Sequence, residues 1–159
     1  MNLPLTKSGA FLSSKSPIGY IDVRVIAHAT EDPEKVLKAV RNILPAELSE
    51  DAVFQKTSLT GHHKNPIFLF ETKFVDKQAL SIALQKIGIG LTVVDKEKLG
   101  SEMKLHLEKR NLYLRFDKQY AHQNEMRFSR NDPIHFKIHF KKKTFKEIVA
   151  ICKDVGLLP

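Results

Sequence analysis

The sequence predicts an α+β fold: a mostly antiparallel or mixed sheet covered by helices on one face, with elements in the order β-α-β-β-α-α-β-β-β-α. Three observations carry this expectation. Several segments alternate apolar and polar residues with period two, while others repeat apolar residues at helical spacing. Short turn signals join the strand pairs and capped helices separate them, which favours antiparallel neighbours. At 159 residues, 42% hydrophobic and 28% charged, the chain can bury one core without staples.

Residues 1–19, rich in Ser, Lys, Pro and Gly, read as a flexible leader, and residues 20–159 as a single domain. In YIDVRVIAHA, Ile21, Val23, Val25 and Ala27 alternate with Tyr20, Asp22, Arg24 and Ile26, the pattern of a half-buried strand. TEDPEKVLKAVRNILP then reads as a helix. Thr30 or Asp32 can cap it, Pro33 suits its first turn, Leu37, Val40 and Leu44 form its stripe, and Pro45 ends it.

AVFQKTSLT and PIFLFETKF are two strands joined by TGHHKNP, where Gly61 lets the backbone turn and Pro66 sets the exit. Asp76 caps KQALSIALQKIG, whose stripe is Leu80, Ala83, Leu84 and Ile87 and which Gly88 closes. VDKEKLGSEMKLHLEKR is a weaker helix because Gly100 lies inside it. NLYLRF, a short EMRFS, and PIHFKIHFK after the turn signal RNDP are strands. Thr144 and Glu147 form a capping-box pair that opens TFKEIVAICKDVG, and Gly156 stops it. Cys152 falls among Phe145, Ile148, Val149 and Val155 at helical spacing and reads as core rather than nucleophile.

No apolar run approaches the roughly 20 residues of a membrane span, and the first residues lack a signal-type apolar segment. A single cysteine rules out an internal disulfide and fits a reducing, cytoplasmic setting. The net charge is +8, and residues 104–143 hold eleven Lys/Arg against four acids, a local net of +7. Clustered positive charge attracts polyanions, of which phosphate backbones are the commonest.

Strand parity indicates where that charge points. Leu112, Leu114 and Phe116 face inward, as do Ile134, Phe136, Ile138, Phe140, Met126 and Phe128. That leaves Tyr113, Arg115, Arg127, His135, Lys137, His139 and Lys141 outward, with Tyr20 and Arg24 opposite the valines of the first strand. Cations can pair phosphates and the rings can stack bases, the combination suited to single-stranded or irregular RNA. No RNP-type aromatic motif is present, so the signature is not that of an RRM.

The histidines do not point to a metal. His135 and His139 share a strand face but stand about 13 Å apart, whereas zinc needs its nitrogens at about 2.0–2.1 Å. His62 and His63 have no partner carboxylate nearby in sequence, so catalysis is not expected. The loop instead reads as a polar rim, with His62, His63, Lys64 and Asn65 offering donors. No metal and no cofactor are implied. Two other classes stay open: a protein–protein module docking an acidic partner, and a small nuclease or phosphodiesterase using His62 or His63.

VRVIAHATEDPEKVLKAVRNILP, GHHKNPI, LYLRFDKQYA and DPIHFKIHF occur in this order between about Tyr20 and Leu157. Together they resemble an archaeal family of RNA-binding proteins also described as exosome subunits, with a fold resembling ribosomal protein L five. The resemblance implies a cytoplasmic, non-catalytic RNA-binding domain in RNA processing, degradation or ribosome-related metabolism. Its partners would be RNA and exosome or ribosome-related proteins. The family's loop motif falls on Gly61, His62, Asn65 and Pro66, and its most distinctive string on Asp117, Lys118 and Gln119. Lys64 and Asn124 stand where the family carries glycine. The DKQ string reads as a strand end, with Asp117 capping or orienting Lys118 while Lys118 and Gln119 face a ligand. The candidate RNA-contacting residues are therefore Arg24, His62, His63, Lys64, Asn65, Arg115, Lys118, Gln119, Arg127 and Lys137, with the loop and the DKQ string on one rim of the sheet.

Overall fold

Strand β1 (Ile18–Ala27) buries Ile21, Val23, Val25 and Ala27, each no more than 1% exposed. The computed structural model, which describes residues 16–50 and 52–159, pairs β1 on both sides. The sheet is built from β1 with β2 (Gln55–Thr60), β3 (Pro66–Phe74), β4 (Leu107–Glu108), β5 (Asn111–Phe116) and β6 (Ile134–Phe140). Its order is β2-β3-β1-β6-β5-β4 and every pair is antiparallel. The described residues also form seven α-helices: α1 (Pro33–Ile43), α2 (Ala46–Ser49), α3 (Lys77–Gly90), α4 (Val93–Ser101), α5 (Met103–His106), α6 (Lys118–His122) and α7 (Phe145–Asp154). The fold class is the α+β arrangement expected.

Local signals place most elements. Asp32, Asp76 and Thr144 accept backbone N–H bonds at the starts of α1, α3 and α7, and Glu147 completes the capping box. Leu80, Ala83, Leu84 and Ile87 of α3 are buried in the common core with the inward residues of the sheet, as are Ile148 and Cys152 of α7. Burial pushes the Cys152 thiol up to about 12, so it is a protonated core side chain.

Several expectations are corrected. Most of the expected leader lies outside the described residues, but Ile18 and Gly19 already belong to β1, and the carbonyl of Pro17 accepts from Lys141 N at 2.7 Å. Helix α1 buries Val36, Ala39, Val40 and Ile43, with Leu44 buried just after it and Leu37 packed against the core, so its apolar face includes the expected Leu37–Val40–Leu44 stripe and is wider than it. Helix α3 continues through Gly88 to Gly90. A Cβ at Gly88 would lie 2.4 Å from the carbonyl of Val155, so this glycine serves close helix packing rather than termination.

The EMRFS segment makes one bridge, Phe116 to Phe128, and no full strand. The outward N–H of Phe128 is taken by the Asp95 carboxylate of α4, which closes that edge. The DKQ string opens α6, which the sequence did not signal, with the Asp117 side chain accepting from Tyr120 N.

That helix start directs Lys118 inward. Its ammonium donates to the Ile26 carbonyl at 2.5 Å, to Glu31 Oε1 at 3.1 Å and to Asp132 Oδ2 at 2.7 Å, with the side chain 11% exposed. One cation thus ties the end of β1, the turn before α1 and the loop before β6. Truncation strands two carboxylates that are themselves partly solvated. Lys118→Ala should therefore cost about 1–3 kcal/mol of stability, read as a lower denaturant midpoint at unchanged slope.

Candidate nucleic-acid interface

Because β1, β5 and β6 bury one face, their other side chains form three rungs on the uncovered face. Arg24, His135 and Arg115 are register partners, as are Asp22, Lys137 and Tyr113, and Tyr20, His139 and Asn111. Lys73 and Glu71 of β3 extend the rungs beside Asp22 and Arg24. Of the expected contact residues, the fold therefore brings together Arg24, Arg115 and Lys137.

Aromatic rings are interleaved with these cations. Tyr20 stacks on His139 with centroids 4.7 Å apart and planes 13° apart. Lys73 lies 4.4 Å and Lys137 5.7 Å from the Tyr20 centroid. His139 Nδ1 meets Asn111 Oδ1 at 2.7 Å, which fixes the ring. Lys73 was missed in the sequence because the first half of β3 is apolar on both faces, which hides its parity.

The acids on this face hold the cations weakly. Arg24 reaches Glu71 at 2.7 Å with both side chains well exposed, and Lys73 lies 3.9 Å from Asp22. Exposed pairs contribute about 0–1 kcal/mol, so an incoming phosphate can displace them at little cost. A side-chain hydrogen bond with Tyr20 raises the Lys137 pKa and keeps the amine charged. Both histidines titrate below their ordinary 6.5. Burial is the main cause; Arg115 and Arg24 add to it at His135 against Asp132, and Arg110, Lys137 and Lys73 add to it at His139. Near neutral pH both rings are therefore uncharged stacking surfaces.

The remaining candidates lie elsewhere. His62, His63, Lys64 and Asn65 cap the exposed β2–β3 hairpin. His62 and His63 touch each other, with centroids 6.5 Å apart, and among the described residues no carboxylate pairs with either. Gly61 is in ordinary extended backbone at φ −86, while His63 and Lys64 make the turn at φ 59 and 62. The hairpin and Asp117 do sit at one end of the sheet, since the rungs Thr60–Pro66, Ala27–Phe68 and Phe116–Ile134 share it. The segments are three strands apart, about 14 Å, and α6 carries its residues off the open face. The expectation that Lys118 faces a ligand is corrected by its carboxylate partners, and Gln119 lines a cleft with Glu31 and Asp32. Arg127 packs over the Tyr120 ring and lines a cleft at the ends of α1 and α3.

One donor atom each from His28, Glu31 and Asp132 lies within 4.8 Å of the others, a spacing a metal ion could use. Lys118 already donates to both carboxylates, and His28 Nε2 lies 3.0 Å from Asp132 Oδ1. The cluster is a cation site served by the chain's own ammonium.

The positive φ of Lys64 explains why glycine suits that position, and Lys64→Gly should gain about 0.5–1 kcal/mol after allowing for the looser unfolded chain; Asn124, at φ 63, should gain less because Asn tolerates this region. Thermal or denaturant melts of both variants check this. The depressed His135 and His139 pKa values mean that the unfolded chain binds more protons as pH falls through 6.5. Stability is therefore present above that pH and lost below it. In His135→Gln/His139→Gln, the fall in denaturation midpoint between about pH 7 and pH 5 should be shallower than in the parent.

The family model described as RNA binding matches residues 20–140. An RNA-binding protein of Pyrococcus abyssi is 32% identical over 134 residues, covering 82% of this chain and 87% of the relative. An uncharacterized protein of Methanocaldococcus jannaschii is 33% identical over 141 residues, covering 82% and 94%. A solved structure from Methanothermobacter thermautotrophicus has a TM-score of 0.69 at 28% identity, covering 89% of this chain and 98% of that one. One from Archaeoglobus fulgidus has a TM-score of 0.74 at 21% identity, covering 87% and 99%, and bears on the fold alone. The family match runs from Tyr20 of β1 to Phe140 of β6 and takes in all three rungs of the open face; the chain belongs to this RNA-binding family.

Proposed function

We propose that this chain is a non-catalytic RNA-binding protein that reads single-stranded or irregular RNA with the open face of its sheet. The observation that carries the proposal is the Tyr20–His139 stack flanked by Lys73 and Lys137, beside Arg24 and Arg115 on an uncovered face. Bases stack on the neutral rings and the cations pair the phosphates, so affinity depends little on sequence. In this reading His62, His63, Lys64 and Asn65, on the exposed hairpin at one end of the sheet, add contacts beyond the open face. The role in RNA processing, degradation or ribosome-related metabolism, in the cytoplasm, rests on the resemblance of the signature segments. No helix among the described residues is long and apolar enough to cross a membrane.

A second reading has one observation in its favour. Strand β2 is an edge strand exposed along its whole length, the kind of edge to which a partner protein can add a strand. That reading makes the chain an interaction module of an exosome-like assembly.

Salt dependence separates the two. The isolated protein should bind a single-stranded RNA with an affinity that falls steeply as salt rises. Arg24→Ala/Lys73→Ala/Lys137→Ala should weaken binding and reduce the slope of log K against log salt by about 2, with an unchanged melt. Lys153→Ala, on the exposed side of α7, is the control. A parent that does not bind bare RNA, or a triple variant that matches it in affinity and slope, would leave the open face without this role.

A further inference from the structure

A groove opens where the open face meets the β5 edge. Helices α4 and α5 supply Lys98, Leu105 and His106, and the other wall carries Arg115, Phe128 and Arg130. Its volume, ≈ 430 Å³, lies within the roughly 300–1,000 Å³ of small-ligand pockets, enough for one nucleotide and too little for a stretch of chain.

The groove is built before any ligand arrives. The Phe128 ring rests on Phe116 with centroids 5.5 Å apart, and the His106 ring faces it at 6.4 Å. His106 is held by the Tyr113 carbonyl at 3.3 Å on one nitrogen and by Glu102 at 3.6 Å on the other. Leu105, 75% exposed, adds an apolar surface that the core does not use.

Charge points to an anion. Among the described residues, Lys98, Arg115 and Arg130 have no ion-pair partner, while the groove's one acid, Glu102, is turned to His106. A bare phosphate would use the cations and leave the apolar wall idle. An apolar peptide would cover the wall and leave three cations without counter-charge. A nucleotide satisfies both, with a flat base and an anionic phosphate on one small frame.

We propose that this groove holds a single nucleotide of the bound RNA, with its base against Phe128 and Leu105 and its phosphate between Arg115 and Arg130. The identity of the polymer rests on the open-face reading. Arg115 belongs both to the groove and to the rung with His135 and Arg24. A strand crossing the open face can therefore turn one residue out of its stack and into the groove without leaving the cations.

The test uses backbone amide spectra of the full chain titrated with adenosine 5′-monophosphate, inorganic phosphate and adenosine in turn. The monophosphate should shift His106, Ser129 and Arg130, and bind at least about tenfold more tightly than phosphate or nucleoside alone. Lys98→Ala/Arg130→Ala changes two exposed side chains and should fold as the parent does. It should lose about tenfold or more of the monophosphate affinity, while a long single-stranded RNA still binds through Arg24, Lys73 and Lys137. Shifts confined to Tyr20, His139 and Lys137, or none in a protein that still binds RNA, would overturn the groove and leave the open face standing. Equal affinity for phosphate and monophosphate would reduce the groove to an anion site and overturn the nucleotide. If neither nucleotide nor RNA binds, both proposals fall.

Discussion

Strand β1 is hydrogen-bonded along both of its sides, and its side chains alternate between a face sealed by helices and a face left to solvent. A slip of one residue would exchange Ile21, Val23 and Val25 for Asp22 and Arg24 in the core, so the register is held by burial as well as by hydrogen bonds. β3 and β6 take their parity from β1, and β5 takes its own from β6. The same constraint that fills the core with Ile134, Phe136, Ile138 and Phe140 therefore aligns His135, Lys137 and His139 with Tyr20, Asp22 and Arg24. Core and interface are two sides of one pairing pattern.

The most distinctive string of the chain serves the fold. Asp117 caps α6, and Lys118 then reaches across to the end of β1 and to the loop that starts β6. A mostly buried ammonium needs counter-charge, and Glu31 with Asp132 supply it. Those loops bound the same end of the sheet as the β2–β3 hairpin. Lys118 therefore shapes the rim of the proposed interface without offering its charge there.

On the open face, the division of labour follows from desolvation. Partial burial, reinforced by crowded cations, keeps His135 and His139 neutral, while Tyr20 helps hold Lys137 charged. Rings without charge can stack, and amines and guanidinium groups with weak, exposed partners can exchange them for phosphate. Towards the β5 edge the face leads into the Phe128 groove, where the cations lack partners among the described residues. The proposed polyanion surface and the proposed place for one base are thus neighbours.

What could be read from the sequence was local. Period-two alternation in PIHFKIHF determined which side chains are buried, and Asp76 and Thr144 marked helix starts, because a cap acts within one turn of itself. Parity also announced Arg24, Arg115 and Lys137 as outward residues. The glycine expected at position 64 has its reason in a single backbone angle. What folding alone decided depended on distance along the chain. Lys118 meets Ile26 and Glu31 across 92 and 87 residues, and no local pattern announces that pairing. Arg127 alternated outward like its neighbours but was carried among the helix ends, because its segment makes a bridge rather than a strand. Lys73 found the Tyr20 ring, and Lys98 and His106 came to face Arg115 and Phe128, through packing of separate elements. Propensity and periodicity act over a few residues, whereas the partners of a charge are chosen by the tertiary fold.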